Sequence, residues 1–165
     1  MEDARIFDLP TNPTPILISA FGTESAALAA KKGDGLWTTG LPSEVIDAYR
    51  SAGGSGPIWS QLSLSWADDK DEAVKRAHKI WPNTALEGQL AQDLRTVLHF
   101  EQAVKGVTPE EIEKAIPCGP DPEPILQSIS QAEELGIDHI YLHQIGDPTK
   151  GFIDFWANEI KPALA

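Results

Sequence analysis

The feature that most constrains the fold is a repeated pairing of a short apolar run with a helix-forming segment. Residues Ile16 to Phe21 form a near-continuous apolar run without polar alternation, which is typical of a parallel strand covered on both faces. The segment from Thr23 to Lys32 follows it, is rich in strong helix formers and ends just before Gly33. This order predicts one strand-helix unit.

The same order recurs along the chain. Further strands are predicted at Gly35 to Thr39, Ile58 to Trp66 and His139 to His143. Helix-forming segments follow them at residues 43–52, 68–81 and 149–164. Strands that alternate with helices predict a parallel α/β sheet with right-handed crossovers. A complete (β/α)8 TIM barrel takes about 250 residues, so four units predict half of such a barrel or a small open sheet.

Residues 82–120 interrupt this rhythm and are predicted to form a helical insertion before the last strand. Within it, Thr108 precedes Pro109 and lies three residues before Glu111, which is the pattern of a capping box with proline in the first turn. A further helix is predicted to begin near Asp121 and to end before Gly136. Residues 1–15 are predicted to be an extended arm because of their prolines. We expect residues 1–165 to form a single domain.

The helix predicted over residues 68–81 has one apolar side. Ala73, Ala77, Ile80 and Trp81 fall at helical spacing along it. A helix that crosses over between parallel strands packs its apolar side on the sheet. We therefore expect all four residues to face the sheet, with Trp81 in the core.

Composition and charge exclude several classes of partner. The chain has 25 Asp and Glu against 13 Lys and Arg, a formal net charge of -12 at pH 7, which repels nucleic acid and anionic lipid surfaces. No apolar run approaches the roughly 20 residues that a membrane span needs. The N-terminal residues lack a basic n-region and an apolar h-region, and Cys118 is the single cysteine. We expect no nucleic acid partner, no membrane association and a cytoplasmic location.

Four runs of the sequence, taken together, resemble the C-terminal half of luciferase-like oxidoreductases. They follow the family's order and cover nearly the whole chain: PILISAFGTESAALAAKKGDGLWTTG, IWSQLSLSWADDKDEAVKRAHKIW, IPCGPDPEPILQSI and LGIDHIYLHQIG. The likeness is greatest to the branch of the deazaflavin-dependent sugar-phosphate dehydrogenases. It implies that the four strands are strands five to eight of an eight-stranded barrel, whose cofactor lies at the C-terminal ends of the strands.

The resemblance also implies an activity, which is hydride transfer between coenzyme F420, or alternatively FMN, and a small organic molecule. The family's acid and base residues, a His and a Glu, lie on earlier strands, so no catalytic residue is assigned here. The isolated chain is expected to be inactive, whether or not it retains cofactor. In the sugar-phosphate dehydrogenases a lysine follows the glycine that matches Gly40, where this sequence has Leu41. Ala91 and Ala115 stand near the places of two further basic residues, so glucose 6-phosphate is not the expected substrate.

The first strand-helix turn is the leading candidate for cofactor contacts. Gly22, Thr23 and Ser25 lie where free backbone amides and the positive end of the helix dipole meet, and this favours an anion. Glycine there permits close backbone approach. By the resemblance, Ala20, Phe21, Gly22 and Ser25 match the stretch that holds the cofactor phosphate. The alternative is a simple tight turn with a serine in the first helical turn.

Two more groups are predicted at the same rim of the sheet. Thr38, Thr39 and Gly40 end the second strand, where hydroxyl groups could bond a phosphate, a ribityl chain or a substrate. His143 ends the last strand and could face the barrel mouth as a proton donor or a cofactor contact. The alternative for His143 is a hydrogen-bonded structural histidine at a strand end.

Other reactive side chains are given structural interpretations. Cys118 lies in a segment rich in proline and glycine that predicts a rigid turn, and no histidine is near it in sequence to activate a thiolate. Carboxylates cluster at the start of the third helix, where they complement the helix dipole and form a solvated face. No metal site is expected. The members of that cluster are Asp68, Asp69, Asp71 and Glu72.

The strands also predict association with another chain. Strand residues alternate between a helix-covered face and a face that would line a barrel, and 165 residues supply no cover for the second face. Hiding about 600 Å² of apolar surface would contribute roughly 15 kcal/mol, more than a typical association cost of several kcal/mol. We expect a homodimer or pairing with a separate N-terminal half barrel. The alternative function is therefore a non-catalytic half-barrel module that associates with itself or with a partner chain. The residues that carry this expectation are Ile16, Ile18, Leu62, Leu64, Ile140 and Leu142.

Overall fold

A computed structural model describes residues 8–86, 88 and 93–165 of the chain. Its strands form one sheet in the order β1-β2-β3-β4. The strands run parallel, with Leu17 of β1 opposite Gly35 of β2 and Ser19 opposite Trp37. This confirms the predicted α/β class with four parallel strands. The strands are β1 (Leu17–Ser19), β2 (Gly35–Thr39), β3 (Ile58–Leu64) and β4 (His139–Gln144).

Helices alternate with these strands as the sequence predicts. Residues 82–115 contribute helical turns between the third helix and the last strand, although Ala91 and the rest of 89–92 lie outside the described residues, as do residues 1–7 of the predicted arm. Within the described residues, the α-helices are α1 (Thr23–Lys32), α2 (Ser43–Ser51), α3 (Lys70–Ile80), α4 (Val97–Ala103), α5 (Pro109–Ala115), α6 (Glu123–Glu134), α7 (Thr149–Phe155) and α8 (Lys161–Ala163). Two 3-10 turns (Pro82–Ala85, Val104–Gly106) and one π-helical turn (Trp156–Ile160) also lie in this part of the chain.

Local sequence chemistry sets several helix starts. Thr108 accepts from the amide of Glu111 while the Glu111 carboxylate accepts from the amide of Thr108, which confirms the predicted capping box. Asp69 caps α3 by accepting from the amide of Glu72 at 2.9 Å. Glu72 in turn pairs with Arg76 one turn later. Two members of the acidic cluster therefore stabilise a helix start.

The chain divides into two compact units, which are residues 1–60 with 137–139, and residues 61–136 with 140–165. In the first unit, helix α1 presents Ala26 and Ala29, both fully buried, and their small side chains allow close packing. Helix α2 packs against α1 and buries Val45, Ile46 and Tyr49. Whether the units act as one domain stays a prediction.

A close backbone approach closes the loop before β3 in the first unit. A Cβ atom on Gly56 would lie 1.8 Å from the carbonyl oxygen of Asp34, so no larger residue fits there. Arg50 donates to the carbonyl oxygens of Gly54 and Gly56 at 3.2 and 3.0 Å. The carboxylate of Asp138 accepts from the amide of Ile58 at 2.8 Å. The run of glycines before β3 is thus a turn, as the sequence predicts.

The second unit contains two apolar clusters. Leu64, Trp66 and Phe155 belong to one cluster, and the indole of Trp66 lies 5.7 Å from the ring of Phe155. Ala77 and Ile145 belong to the other, together with Ile112 and Ile116.

The predicted burial of Trp81 is wrong. Ala73 and Ala77 are fully buried as expected, but Ile80 and Trp81 are 49% and 38% exposed. The physical reason is that α3 ends at Ile80 and Pro82 opens a 3-10 turn, so the apolar side of the helix does not continue through Trp81. Trp81 instead contacts a strand residue described below.

Strand β3 shows which side chains face away from the helices. Its residues alternate strictly, with Leu62 and Leu64 both on the buried face and Trp59 and Ser63 half-buried on the other. In the first unit, Trp59 stacks on Trp37 at 6.0 Å and lies 4.1 Å from the ring of His139. The open face is therefore aromatic and polar. The expectation that Leu62 and Leu64 alternate between the two faces is wrong, because two residues that are two apart lie on the same face.

Candidate functional site

The turn between β1 and α1 leaves the start of the helix open. Gly22 is the N-cap residue in an extended conformation, and no side chain of the described residues caps the helix. The first-turn amides that precede the bond from Ala26 to Gly22 have no partner within α1. A Cβ on Gly22 would meet nothing within 4 Å, so the approach is open. These are the features that suit an anion at a helix N-terminus.

The side chains of this turn differ in their access to a ligand. Phe21 is 52% exposed, and Gly22 and Ser25 are exposed as well. Ala20 is buried and donates its amide to the carbonyl oxygen of Trp37 at 2.9 Å, which anchors the end of β1 to β2. Glu24 adds a carboxylate in the first turn, which complements the helix dipole and disfavours a second anion.

The end of β2 forms the neighbouring turn of the same unit. Thr39 is exposed, whereas Thr38 is fully buried and its hydroxyl has no hydrogen-bond partner in the described part of the chain. Gly40 has a φ of 69°, a conformation that favours glycine. Its carbonyl oxygen accepts from the Ser60 hydroxyl at 2.7 Å. Thr39 is therefore more accessible to a ligand than Thr38.

Ser60 was not identified from the sequence. It is fully buried in β3 and holds the turn after β2 through its bond to Gly40. The available signal was its position in the strand alternation, because Ser60 lies between Ile58 and Leu62 on the face that carries apolar residues. A polar residue at such a position requires an internal partner.

In the second unit, His143 lies on β4 and contacts Ser63 and Trp81. Its Nδ1 atom is 3.2 Å from the hydroxyl oxygen of Ser63. Its ring meets the indole of Trp81 edge to face, with ring centroids 5.3 Å apart. The sequence predicted His143 but neither partner, since Ser63 is 80 residues away and Trp81 was expected in the core.

The strand end that carries His143 is held by its neighbour Gln144. The Gln144 side chain accepts from the amide of Trp66 at 2.8 Å and donates to the carbonyl oxygen of the same residue at 3.1 Å. The amide of Ile145 donates to the carbonyl oxygen of Leu64 at 2.9 Å. Three hydrogen bonds thus fix the end of β4 against the end of β3.

Cys118 is not activated in this structure. Its segment pairs with the end of β3, where Ser65 donates to Pro117 and accepts from Gly119, both at 2.9 Å. Burial, reinforced by the nearby carboxylate of Glu113, raises the pKa of the Cys118 thiol to about 11. The thiol form therefore predominates near neutral pH, which is unfavourable for a nucleophile. Within the described ranges, no group of three or more His, Cys, Asp or Glu residues could hold a metal ion.

The charge on the lysine beside this segment is paired. The amino group of Lys70 lies 2.8 Å from the Glu113 carboxylate, and that hydrogen bond and charge raise the pKa of Lys70.

Among the described residues, no helix is both long and apolar enough to cross a membrane.

The fold defines the chain as a parallel α/β protein with four strands. The chain belongs to the luciferase-like monooxygenase family, whose sequence profile matches residues 1–139. Curated relatives include F420-dependent glucose-6-phosphate dehydrogenases of Segniliparus rotundus and Intrasporangium calvum, each 25% identical. Each alignment covers 98% of this chain and 52% of the relative. The chain therefore spans about half the length of these relatives.

Solved structures share the fold. An F420-dependent secondary alcohol dehydrogenase in complex with an F420-acetone adduct superposes with a TM-score of 0.77 at 21% identity, over 98% of this chain and 52% of that one. The coenzyme F420-dependent tetrahydromethanopterin reductase of Methanopyrus kandleri gives a TM-score of 0.63 at 16% identity, over 92% and 51%. Both matches cover about half of a larger enzyme, as the sequence matches do.

Proposed function

We propose that this chain is the C-terminal half of a β/α-barrel oxidoreductase that transfers hydride with coenzyme F420, and that the turn between β1 and α1 binds the coenzyme's phosphate. The observation that carries the proposal is the open, uncapped start of α1 at Gly22. The relatives are F420-dependent enzymes, which supports F420 over FMN.

The residues of this turn fit a phosphate through backbone groups. First-turn amides of α1 supply donors, and the absent side chain of Gly22 allows the phosphate oxygens to approach them. Ser25 adds an exposed hydroxyl, and Thr39 adds another at the end of β2. Phe21 supplies an exposed apolar ring beside the turn. Glu24 sets a limit, because its carboxylate weakens anion binding at the same helix start.

The chain's own contribution is binding and orientation. A deazaflavin accepts or releases a hydride when bound and avoids one-electron oxygen chemistry, so the protein must position it and the substrate. In this proposal the acid and base residues come from an N-terminal half, and the isolated chain binds cofactor without turnover.

The substrate of the whole enzyme is proposed to be uncharged. A sugar phosphate requires basic side chains, and Leu41 and Ala115 stand where the resemblance expects two of them, while Ala91 lies outside the described residues. The net charge of -12 further disfavours anionic substrates.

A charge placed at the helix start tests the phosphate site. In Gly22→Asp the new carboxylate caps the free amides itself, which preserves folding but competes with phosphate. We expect F420 binding, followed by equilibrium dialysis with F420 absorbance, to weaken about tenfold or more, the loss of one charge-assisted hydrogen bond. The control Gly106→Asp adds the same charge outside this turn, at a glycine where a Cβ also meets nothing within 4 Å, and should bind within a few-fold of the wild-type chain.

Several results would contradict the proposal. The proposal is contradicted if F420 does not bind the wild-type chain. It is also contradicted if Gly22→Asp binds F420 with the same affinity as the wild-type chain. If the chain binds FMN in preference to F420, FMN replaces F420 as the proposed cofactor. Substrate-dependent reduction of F420 by the isolated chain, above a control without protein, would show that this half carries its own acid and base residues.

A second function, self-association without catalysis, is favoured by exposed apolar residues at the sheet. Ile16 is 62% exposed, and Tyr141 of β4 is 48% exposed. Such residues favour burial against another copy or a partner half barrel. Sedimentation equilibrium is the test: a colourless homodimer supports this function, whereas a 17.9 kDa monomer that binds F420 supports the enzyme half.

A further inference from the structure

The cluster of Ser63, Trp81 and His143 lies in the second unit and is not used by the phosphate site. His143 is half-buried on β4, and its Nδ1 atom is engaged by the Ser63 hydroxyl at 3.2 Å. The Nε2 atom has no hydrogen-bond partner among the residues that the structure describes. One imidazole nitrogen is thus held by the protein while the other is left for a ligand.

The contact of Nδ1 with Ser63 allows Nε2 to be either a hydrogen-bond donor or an acceptor. A neutral imidazole has one donor and one acceptor nitrogen. When the Ser63 hydroxyl donates to Nδ1, Nε2 carries the proton and donates to a carbonyl oxygen. When Nδ1 donates to Ser63, Nε2 accepts from a hydroxyl group. A serine hydroxyl can donate or accept a hydrogen bond. His143 can therefore hydrogen-bond either an alcohol or the corresponding ketone through Nε2.

Trp81 supplies an apolar surface beside the His143 ring. Its indole is 38% exposed and meets the His143 ring edge to face at 5.3 Å. An exposed indole face contacts short alkyl groups favourably. Arg76 donates to the Trp66 carbonyl oxygen that Gln144 also holds, but the charge of Arg76 is already paired with the Glu72 carboxylate. The cluster therefore suits a small uncharged molecule with one oxygen and apolar substituents.

The position of His143 is rigid. Gln144 bonds both the amide and the carbonyl group of Trp66, and Ile145 bonds Leu64. These bonds hold the carboxyl end of β4, which is the end where β/α barrels bind their ligands. Groups on fixed strands hold a ligand more accurately than groups on loops.

We propose that Nε2 of His143 contacts the oxygen of a small uncharged alcohol or ketone, the substrate of the proposed oxidoreductase, with Trp81 as its apolar wall. Ser63 is a positioning residue that holds the imidazole ring through its contact with Nδ1. The inference rests on the proposed function for the reaction, but the binding contact is a property of this chain alone.

The contact is tested by the imidazole ¹⁵N spectrum of the full chain, titrated with acetone and separately with isopropanol. The chain has four histidines, and the spectrum of His143→Gln assigns the resonance of His143. We expect a saturable shift at the His143 Nε2 resonance in wild type. His99 on α4, whose ring has no role in this cluster, provides the internal control for general solvent effects.

The variants separate the roles of the three residues. His143→Gln keeps an amide donor but moves it, and is expected to weaken acetone binding, read by saturation-transfer NMR, about three- to tenfold, as for one lost hydrogen bond. Ser63→Ala is expected to change the Nδ1 and Nε2 shifts before any ligand is added, because Nδ1 loses its hydrogen-bond partner. Trp81→Ala removes the apolar wall and is expected to weaken acetone binding, whereas Trp81→Phe keeps an aromatic wall and is expected to restore most of it.

Each outcome decides the inference independently of the phosphate site. A saturable His143 shift supports it, even if F420 does not bind and the proposed function fails. Equal shifts at His143 and His99, or none at His143 with and without F420, overturn it. Unchanged Nδ1 and Nε2 shifts in Ser63→Ala overturn the role of Ser63.

Discussion

Replacing Gly56 by alanine should destabilise the first unit strongly. The new Cβ would lie 1.8 Å from the carbonyl oxygen of Asp34, 2.7 Å from its carbonyl carbon and 3.1 Å from Cα of Gly35. All three atoms belong to the backbone, so no side-chain rotation relieves the overlap. Separating them moves the loop whose carbonyl oxygen accepts from Arg50 at 3.0 Å. Overpacking alone costs 1–3 kcal/mol, and the strained hydrogen bond adds to it. We expect a loss of about 3 kcal/mol in the free energy of unfolding.

Urea denaturation followed by circular dichroism measures this loss. At the size of this chain, about 3 kcal/mol corresponds to a fall in melting temperature of roughly 6 to 12 °C. The matched control is Gly106→Ala, where a Cβ meets nothing within 4 Å, and its free energy of unfolding should change by less than about 0.5 kcal/mol. Equal stability of the two variants would refute the argument from steric overlap.

Two further predictions concern the second unit. Gln144→Ala should lower the free energy of unfolding by roughly 1–3 kcal/mol, because it leaves the amide and carbonyl of Trp66 without their partner, and an unchanged urea midpoint would contradict this. Alkylation of Cys118 by iodoacetamide, read by mass spectrometry, should be slow near neutral pH and rise as pH approaches about 11. Burial raises this pKa, so the folded state holds the thiol proton more strongly than the unfolded state does. The resulting contribution to folding stability is fully present below the unfolded thiol's pKa of about 8.5 and is lost as pH rises through about 11. A Cys118 alkylation rate equal to that of a free thiol at pH 7 would show that the thiol is not shielded.

Periodicity and capping chemistry were sufficient to predict most of the fold. Unbroken apolar runs marked the parallel strands, and the capping box at Thr108 fixed the start of α5 because its signal is local. Trp81 was misplaced since helical spacing does not reveal where a helix ends, and Pro82 ends this one. Leu62 and Leu64 were expected on different faces, although their spacing of two puts them on one.

The sequence predicted only those parts of the candidate site that lie at the ends of strands. The turn at Gly22 follows from the order of strand and helix, because parallel strands present their carboxyl ends at one edge. The partners of His143 could not be predicted, since Ser63 reaches it across 80 residues of sequence. Ser60 was missed for the same reason, because its bond to Gly40 depends on the pairing of β2 with β3.

We expect the stacked indoles of Trp37 and Trp59 to give the first unit an optical signature. Their rings lie 6.0 Å apart at an interplanar angle of 22°, close enough for the electronic transitions of the two indoles to couple. Coupled transitions split into a pair of circular dichroism bands of opposite sign, and neither tryptophan produces that pair alone. Since the two residues lie on neighbouring strands, the band pair reports the pairing of β2 with β3 without any added label. A partner half barrel that covers this face would change the band pair on binding, so assembly could be followed directly in solution.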